Sequence, residues 1–196
     1  SVALAGGTTE TVIPFLGSVD LGFFYYILAA VFIVGMVNAV NFTDGIDGLN
    51  TSVTLVVALV FSVIAMLLNR VGLSLYAAAI VGAMIGFLFW NANPAKVFMG
   101  DTGSLFLGGA VCALAFGVDM PILLILIGII YIVEILSVVL QVTYFKISHG
   151  KRIFKMAPIH HHFEMCGWNE NKICFVFSGV TLFAGIIGVL LAVFGC

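Results

Sequence analysis

The chain has 196 residues, of which 63% are hydrophobic and only 8% are charged, and its formal net charge at pH 7 is −2. Soluble domains carry about 25% charged residues. Because so few polar groups cannot cover a water-exposed surface, the composition excludes an ordinary soluble domain and favours a membrane protein. Nothing in this charge balance indicates a nucleic-acid partner, and we predict none.

Six apolar segments are candidates for transmembrane helices, which need about 20 residues to cross the hydrocarbon core. The fourth segment is short, and the fifth, which follows Pro121, is long enough to bend or to extend past the membrane. The predicted fold class is therefore all-α, a polytopic transmembrane helix bundle that forms one membrane domain. The predicted spans cover about residues 21–40, 51–68, 73–90, 104–118, 122–145 and 172–195.

The connections between these spans fall into two groups, because successive spans alternate in direction. Residues 41–50, 91–103 and 146–171 lie on one side, and residues 1–20 are expected to form a loop on the other. The first side holds five lysine or arginine residues, whereas the other side holds Arg70 alone. Basic residues are concentrated in cytoplasmic loops, so the first side is predicted to face the cytoplasm.

The first cytoplasmic loop contains two Asp-Gly pairs, in the run Asn41-Phe-Thr-Asp44-Gly-Ile-Asp47-Gly-Leu. Asn38 lies about one helical turn before Asn41, on the same helix face. This pattern indicates a site that handles a metal, a nucleotide or a proton. The alternative is helix capping by Asp and Gly, which explains one pair but not two pairs with two asparagines. The spacing does not fit an EF-hand loop.

The second cytoplasmic loop places a carboxylate just before a predicted helix start, in the run Phe98-Met-Gly-Asp101-Thr-Gly-Ser104. A helix N-terminus near Ser104 would suit a phosphate. Asp101 beside it would suit Mg²⁺, which is commonly held by one or two carboxylates together with substrate phosphates. The loop is not a Walker A loop, because no Gly-Lys-Ser/Thr follows. For Phe98, base stacking and a place in the membrane interface both stay open, as do phosphate binding and an interfacial position for Lys96.

The third cytoplasmic loop carries three consecutive histidines, in the run Ala157-Pro158-Ile-His160-His161-His162-Phe-Glu164. Their spacing does not fit a structural zinc site. Histidines on a loop can bind phosphate and sugar oxygens, and the alternative is that they are merely solvated. The basic residues upstream are interpreted as anchors to anionic membrane lipid; they are Lys151, Arg152 and Lys155.

The fifth predicted span contains three polar residues on one stripe: Tyr131, Glu134 and Gln141. Ionisable residues within spans usually face the interior of the bundle. We interpret Glu134 as a structural polar group that is satisfied there. Gln141 lies nearer the cytoplasmic end, where it could reach the site.

The three loops resemble motifs of the polyprenyl-phosphate glycosyl-1-phosphate transferase superfamily. The first loop is similar to its NxxDGxDGL motif and the second to its FxGDxGS motif. The third is similar to the histidine motif of the phospho-N-acetylmuramoyl-pentapeptide transferase branch. The motifs stand in the family's order, and the resemblance covers nearly the whole chain.

This resemblance implies a multi-pass enzyme of the bacterial cytoplasmic membrane. With Mg²⁺ as cofactor, it would transfer phospho-N-acetylmuramoyl-pentapeptide from its UDP-linked donor to undecaprenyl phosphate. The products would be UMP and the first lipid-linked precursor of peptidoglycan, which connects the enzyme with cell-wall biogenesis, cell shape and cell division.

The resemblance also implies roles for individual residues. Asp101 would be the magnesium ligand and Asp44 would lie beside the reacting diphosphate, and these two form the candidate catalytic set with His160 and His161. A uridine pocket would be formed by Gly45, Asp47, Leu49 and Phe98. The other candidate substrate-binding residues are Asn38, Asn41, Gln141, Ala157 and His162.

The chain departs from the family pattern in one respect. The family is expected to have ten spans and an N-terminal DDxxK motif, and no Asp-Asp pair occurs here. We therefore expect the chain to correspond to the last six spans and to lack N-terminal groups that bind magnesium or accept a proton. Alone it is expected to be inactive. A homodimer is left open.

Two rival functions stay open. A sister enzyme that uses UDP-N-acetylglucosamine shares the aspartate loops, and only residues 160–164 separate the two enzymes. A transporter, from a different class, would place its ion site near the middle of the membrane, whereas here only Glu134 lies inside a span. The sequence does not choose between direct attack by the lipid phosphate and an aspartyl-phosphate intermediate.

Overall fold

Six helices that are long and apolar enough to cross a membrane form most of this computed structural model, which describes residues 9–195. This confirms the predicted all-α, polytopic membrane bundle. The long helices are α1 (Phe23–Thr43), α2 (Leu49–Leu67), α3 (Val71–Asn91), α4 (Gly100–Gly117), α6 (Ile129–Ile147) and α8 (Glu170–Phe194). The short elements are β1 (Glu10–Ile13), β2 (Gly17–Asp20), α5 (Leu123–Ile127) and α7 (Ile159–Glu164).

The predicted fifth span is divided into two helices rather than forming one. Gly128 separates α5 from α6, and its N–H donates to the carbonyl oxygen of Leu124 at 2.8 Å. A Cβ at Gly128 would lie 2.7 Å from that same oxygen, so the tight junction requires glycine. The helix α4 also differs, because it begins at Gly100 rather than near Ser104 and so includes Asp101 in its first turn.

A β-hairpin occupies part of the segment that was expected to be an outer loop. Within that segment, residues 1–8 lie outside the described residues. β1 and β2 pair antiparallel, with Glu10 opposite Asp20. Two-stranded sheets are marginal by themselves, and this one is joined to the bundle by backbone hydrogen bonds from Val12 to Asp119 and from Phe15 to Gly195. We call the hairpin, with residues 68–70, 118–122 and Gly195, the outer end.

The helix α2 lies at the centre of the bundle and packs against α3 and α8, while α1 packs against α4 and α6. Its core side chains include Val53, Val57, Phe61 and Ile64, all fully buried. In contrast, α1 and α3 present large apolar side chains outward, which is the arrangement expected of helices that face lipid.

The polar stripe of α6 faces the interior, as predicted. Tyr131 and Glu134 are fully buried and Gln141 is nearly so. The Tyr131 hydroxyl lies 2.7 Å from Oγ1 of Thr54, which in turn donates to Oδ1 of Asn50. Polar groups inside the bundle are thus mostly paired with one another, as burial in an apolar environment requires.

Candidate functional site

The turn between α1 and α2 carries both aspartates of the first loop. Asp44 ends α1, and its N–H donates to the carbonyl oxygen of Asn41 at 3.1 Å. Gly48 precedes α2 in a left-handed conformation, with φ of 75°. Among the described residues, no side chain makes a capping bond at the start of α1 or of α2. Neither aspartate therefore caps the following helix α2 through its side chain, although Asp44 is the residue at which α1 ends.

Asn41 connects the first loop to the second. Its side-chain amide donates to Oδ1 of Asp101 at 3.1 Å and to Oγ of Ser104 at 2.8 Å. Asp101 and Ser104 lie in the first turns of α4. The carboxylate of Asp101 is thereby held at a helix N-terminus, where the helix dipole favours negative charge.

Asp44 and Asp101 form a pair of carboxylates that interact electrostatically. Partial burial, and to a smaller extent the negative charge of Asp101, raise the pKa of Asp44 above its usual range. Asp44 makes no side-chain hydrogen bond to any residue between 9 and 195, so its carboxylate is free to contact a ligand. No lysine, arginine or histidine in that range forms an ion pair with either aspartate.

Asp47 joins three parts of the chain at the same end of the bundle. Its Oδ2 accepts hydrogen bonds from the N–H of Ala95 at 2.8 Å and from Nδ2 of Asn93 at 3.3 Å. Its own N–H donates to Oε2 of Glu170 at 2.9 Å, and the Cys174 thiol donates to its carbonyl oxygen. Asp47 therefore fixes the first loop against the second loop and against the start of α8.

His160 joins the third loop to the first. Its side chain is fully buried, and its Nδ1 lies 3.0 Å from Oε2 of the equally buried Glu134. A Cβ added at Gly45 would overlap Nε2 of His160 and lie 2.7 Å from Cε1. Only glycine at position 45 leaves room for this ring. We call the region formed by these three loops the inner end.

His161 lies beside His160 but is less buried. The two ring centroids are 4.2 Å apart, and Nδ1 of His161 is hydrogen-bonded to Glu164. The side chains of this second pair are 26% and 31% exposed. His161 is thus accessible to a ligand at the surface of the site, whereas His160 is not.

Gln141 and His162 hold the third loop in place. The side-chain oxygen of Gln141 accepts from the N–H groups of Ile153 and Phe154, and its nitrogen donates to the carbonyl oxygen of Phe154. Nδ1 of His162 accepts from the N–H of Lys155 at 3.1 Å. Both residues were expected to contact substrate, and here their polar atoms bind the backbone of the loop instead.

The other candidate residues differ in how far they are available to a ligand. Leu49 is fully buried in the core, so its side chain is closed to a uridine ring. Phe98 is 73% exposed and available for stacking. Asn38 is exposed on α1, where it donates to the carbonyl oxygen of Val34. Ala157 is half-buried.

Several residues that position the site were not predicted from the sequence. Glu170 and Cys174 bind the backbone of Asp47, and Asn93 binds its carboxylate. Asn93 lies in a loop already singled out, so its polarity was a usable signal. Glu170 and Cys174 lie more than 120 residues from Asp47 in the chain, and no local pattern indicates that contact.

The carboxylates of the inner end fit one class of metal. Within residues 9–195, no group of three or more His, Cys, Asp or Glu side chains could hold a metal ion by itself. Mg²⁺ is usually bound by one or two carboxylates, with substrate phosphates and waters completing the coordination. The pair Asp44 and Asp101 fits this arrangement, and a fully protein-bound structural metal does not.

The first two polar loops lie within a match to a known protein family. The family model described as glycosyl transferase family 4 matches residues 1–119, which include both aspartate loops. The chain belongs to glycosyl transferase family 4. The family match does not extend to the histidines, which are covered by comparison with individual proteins.

Curated relatives of the chain are named phospho-N-acetylmuramoyl-pentapeptide-transferase. The chain is 52% identical over 181 residues to the protein of Clostridium botulinum strain Eklund 17B, covering 92% of the chain and 56% of the relative. It is 55% identical over 175 residues to that of Clostridium perfringens strain SM101, covering 89% and 54%. It is 49% identical over 190 residues to that of Listeria monocytogenes serotype 4b strain CLIP80459, covering 96% and 59%. The chain thus spans just over half the length of these relatives, and the aligned stretch includes all three polar loops.

Proposed function

We propose that this chain forms part of an enzyme that transfers phospho-N-acetylmuramoyl-pentapeptide from its UDP-linked donor to undecaprenyl phosphate. The reaction releases UMP and gives a lipid-linked precursor of peptidoglycan. The proposal draws on the names of the relatives and on the third loop, which lies within the stretch aligned with them. In the chain itself, the observation that carries it is the carboxylate pair Asp44–Asp101 at the inner end, where both residues are hydrogen-bonded to Asn41.

The carboxylate pair supports transfer of a phosphoryl group. Such reactions are accelerated mainly by positioning and by neutralising the charge of the transition state. Asp101, held by Asn41, would be the magnesium ligand, and Asp44 would lie beside the diphosphate. When bound, Mg²⁺ would neutralise the diphosphate and stabilise the departing UMP.

The remaining roles are assigned to residues of the same end. Asp44 would accept a proton from the acceptor phosphate or, in the covalent scheme, attack the donor itself. The accessible ring of His161 would bind phosphate or sugar oxygens, and exposed Phe98 would stack on the uracil base. Uridine binding would involve Gly45 and Asp47 through the turn backbone, because the carboxylate of Asp47 already binds the second loop.

An apolar groove along the membrane face supports a lipid acceptor. It lies between α1 and the pair α5–α6, has a volume of about 330 Å³, and is lined on α1 by residues between Val31 and Ala39, in the half of the helix that leads to Asn41. Its lining includes Phe32, Met36, Ala39, Ile125 and Ile132. Side chains of this kind bind hydrocarbon, so a polyprenyl chain could lie here with its phosphate at the inner end.

The inner end is proposed to face the cytoplasm, across the bacterial cytoplasmic membrane. The basic residues of the third loop, Lys151, Arg152 and Lys155, are exposed there. A cytoplasmic site would give direct access to a UDP-linked donor, and basic loops are typical of that side.

A chimera tests the proposal, because the chain spans just over half of its relatives. The 181 aligned residues of the Clostridium botulinum relative would be replaced by this chain, and UMP release would be measured with undecaprenyl phosphate and Mg²⁺. We expect release with the UDP-N-acetylmuramoyl-pentapeptide donor and loss of release with EDTA. A folded chimera that releases no UMP would contradict the proposal. Release with UDP-N-acetylglucosamine alone would identify the sister activity instead.

A further inference from the structure

Glu134 is a fully buried carboxylate inside α6, a helix that is long and apolar enough to cross the membrane. Its Oε2 lies 3.0 Å from Nδ1 of His160, which is also fully buried. A carboxylate in this setting is strongly disfavoured unless it is paired. The partner comes from α7, so the pair joins a membrane-spanning helix to the third loop of the inner end.

The opposite edge of the His160 ring abuts the turn that carries Asp44. Nε2 of His160 and Oε1 of Glu134 are buried and have no hydrogen-bond partner within the described part of the chain. Nε2 points at Gly45, where a side chain would overlap the ring. A chain of contacts therefore runs from Glu134 through the imidazole to the residue that follows Asp44.

The chemistry of this contact fixes the tautomer. If Glu134 is ionised, its carboxylate can only accept hydrogen bonds, and the ring nitrogen that faces it then carries the proton. The nitrogen that faces the turn is then an acceptor in the neutral ring. We propose that Glu134 is a positioning residue: it holds the proton of His160 on Nδ1 and so aims the acceptor Nε2 at the Asp44–Gly45 turn.

This inference rests on the proposed function in one respect, because the proposed function is what places the Asp44–Gly45 turn within an active site. A neighbouring pair provides the matched control. His161 is bonded through Nδ1 to Glu164, the same two residue types joined through the same atom, but this pair is partly exposed, and the three atoms nearest to a Cβ at Gly45 belong to His160.

Nitrogen-15 NMR of the histidine rings tests the inference without any activity assay. The chain contains four histidines, and substitution of each would assign its ring signals. In the wild-type chain in detergent micelles, we expect His160 in the Nδ1-protonated form. Glu134→Leu, which removes the acceptor oxygens, should convert it to a mixture of tautomers, while Glu134→Gln, whose amide can accept from or donate to the ring nitrogen, should keep Nδ1 protonation in only part of the population. Glu164→Leu should change the signals of His161 and leave those of His160 in place.

The inference can be tested even if the Glu134→Leu variant does not fold, because the wild-type spectrum alone reports which nitrogen of His160 is protonated. An Nε2-protonated His160 in the wild-type chain would overturn the inference. So would an unchanged His160 signal in a Glu134→Leu variant whose helical circular dichroism matches the wild type. A failure of the UMP-release assay would bear on the proposed function and not on this tautomer.

Discussion

The two ends of the helix bundle are built from different kinds of contact. At the outer end, the hairpin meets the helix ends through backbone hydrogen bonds, and the ion pair Arg70–Asp119 lies in solvent. At the inner end, side chains from three loops bond across distances of 46 to 123 residues in sequence. The outer end closes the bundle, while the inner end concentrates polar groups that contact one another.

One acidic residue of the outer end, Asp119, differs in its surroundings from the two aspartates Asp44 and Asp101 of the inner end. Asp119 is neutralised by Arg70 at 2.7 Å. Asp44 and Asp101 lie close enough to repel and have no basic partner among residues 9–195. Nearby like charges disfavour ionisation, and a bound cation would relieve this repulsion, which is why the proposed function places magnesium at this pair.

The largest effect is expected from removing a carboxylate of the inner end. Asp101→Asn in the chimera should lower the rate of Mg²⁺-dependent UMP release by about 100-fold or more, since a preorganised charge is lost. Asp119→Asn makes the same change at the outer end and should leave the rate within about twofold. Equal losses in the two variants would mean that the ends do not differ in function.

A smaller effect is expected from filling the space beside His160. Gly45→Ala places a methyl group against the buried ring and should lower the free energy of unfolding by about 1–3 kcal/mol, as overpacking does. Gly82→Ala on α3, where a Cβ meets no described atom within 4 Å, is the control. The midpoint of thermal unfolding in detergent would compare them, and a shift no larger for Gly45→Ala would count against the close contact between the first and third loops.

Removing one hydrogen bond near the inner end should lower the stability by a smaller amount. Thr51 donates to Oδ1 of Asn91 at 2.6 Å and so joins α2 to the end of α3. Thr51→Val removes this buried bond and should cost about 0.5–1.5 kcal/mol, the range for polar contacts between membrane helices. Chemical unfolding in mixed detergent measures it. No change in stability would show that the bond is replaced by another.

The smallest effect is expected at the outer end. Arg70→Ala removes an ion pair whose side chains are 56% and 50% exposed. Exposed pairs contribute at most about 1 kcal/mol, so the unfolding midpoint should move little and fall further only at low salt. A loss of stability as large as that of Gly45→Ala would contradict the expected ranking of the two ends.

The sequence predicts the helices and the polar loops from local patterns, but it does not predict the contacts between distant residues. Each span needs a long apolar run, which is visible locally, and the doubled Asp-Gly pattern predicted a site at Asp44 and Asp47. The bond between Glu170 and the N–H of Asp47 joins residues 123 positions apart. Such contacts are set by helix packing, and the sequence of either loop alone does not contain them.

For several candidate residues, the sequence shows the residue type but does not show the direction in which the side chain points. Gln141 and His162 have the polarity of ligand-binding residues, yet their atoms hold the backbone of the third loop. Leu49 follows the second Asp-Gly pair and is buried in the core because it begins α2 on its inward face. The hairpin likewise depends on backbone hydrogen bonds to Asp119 and Gly195, which hydropathy does not show.

Cross-linking of the first loop to the third would show whether the polar loops share one inner site. Gly45→Cys and His160→Cys would be combined in a chain whose native cysteines are replaced, and treated with a short bifunctional thiol reagent. We expect efficient cross-linking of this pair and none between Gly45→Cys and Phe15→Cys, which lie at opposite ends. Absence of the first cross-link, with both thiols reactive, would contradict a shared inner site.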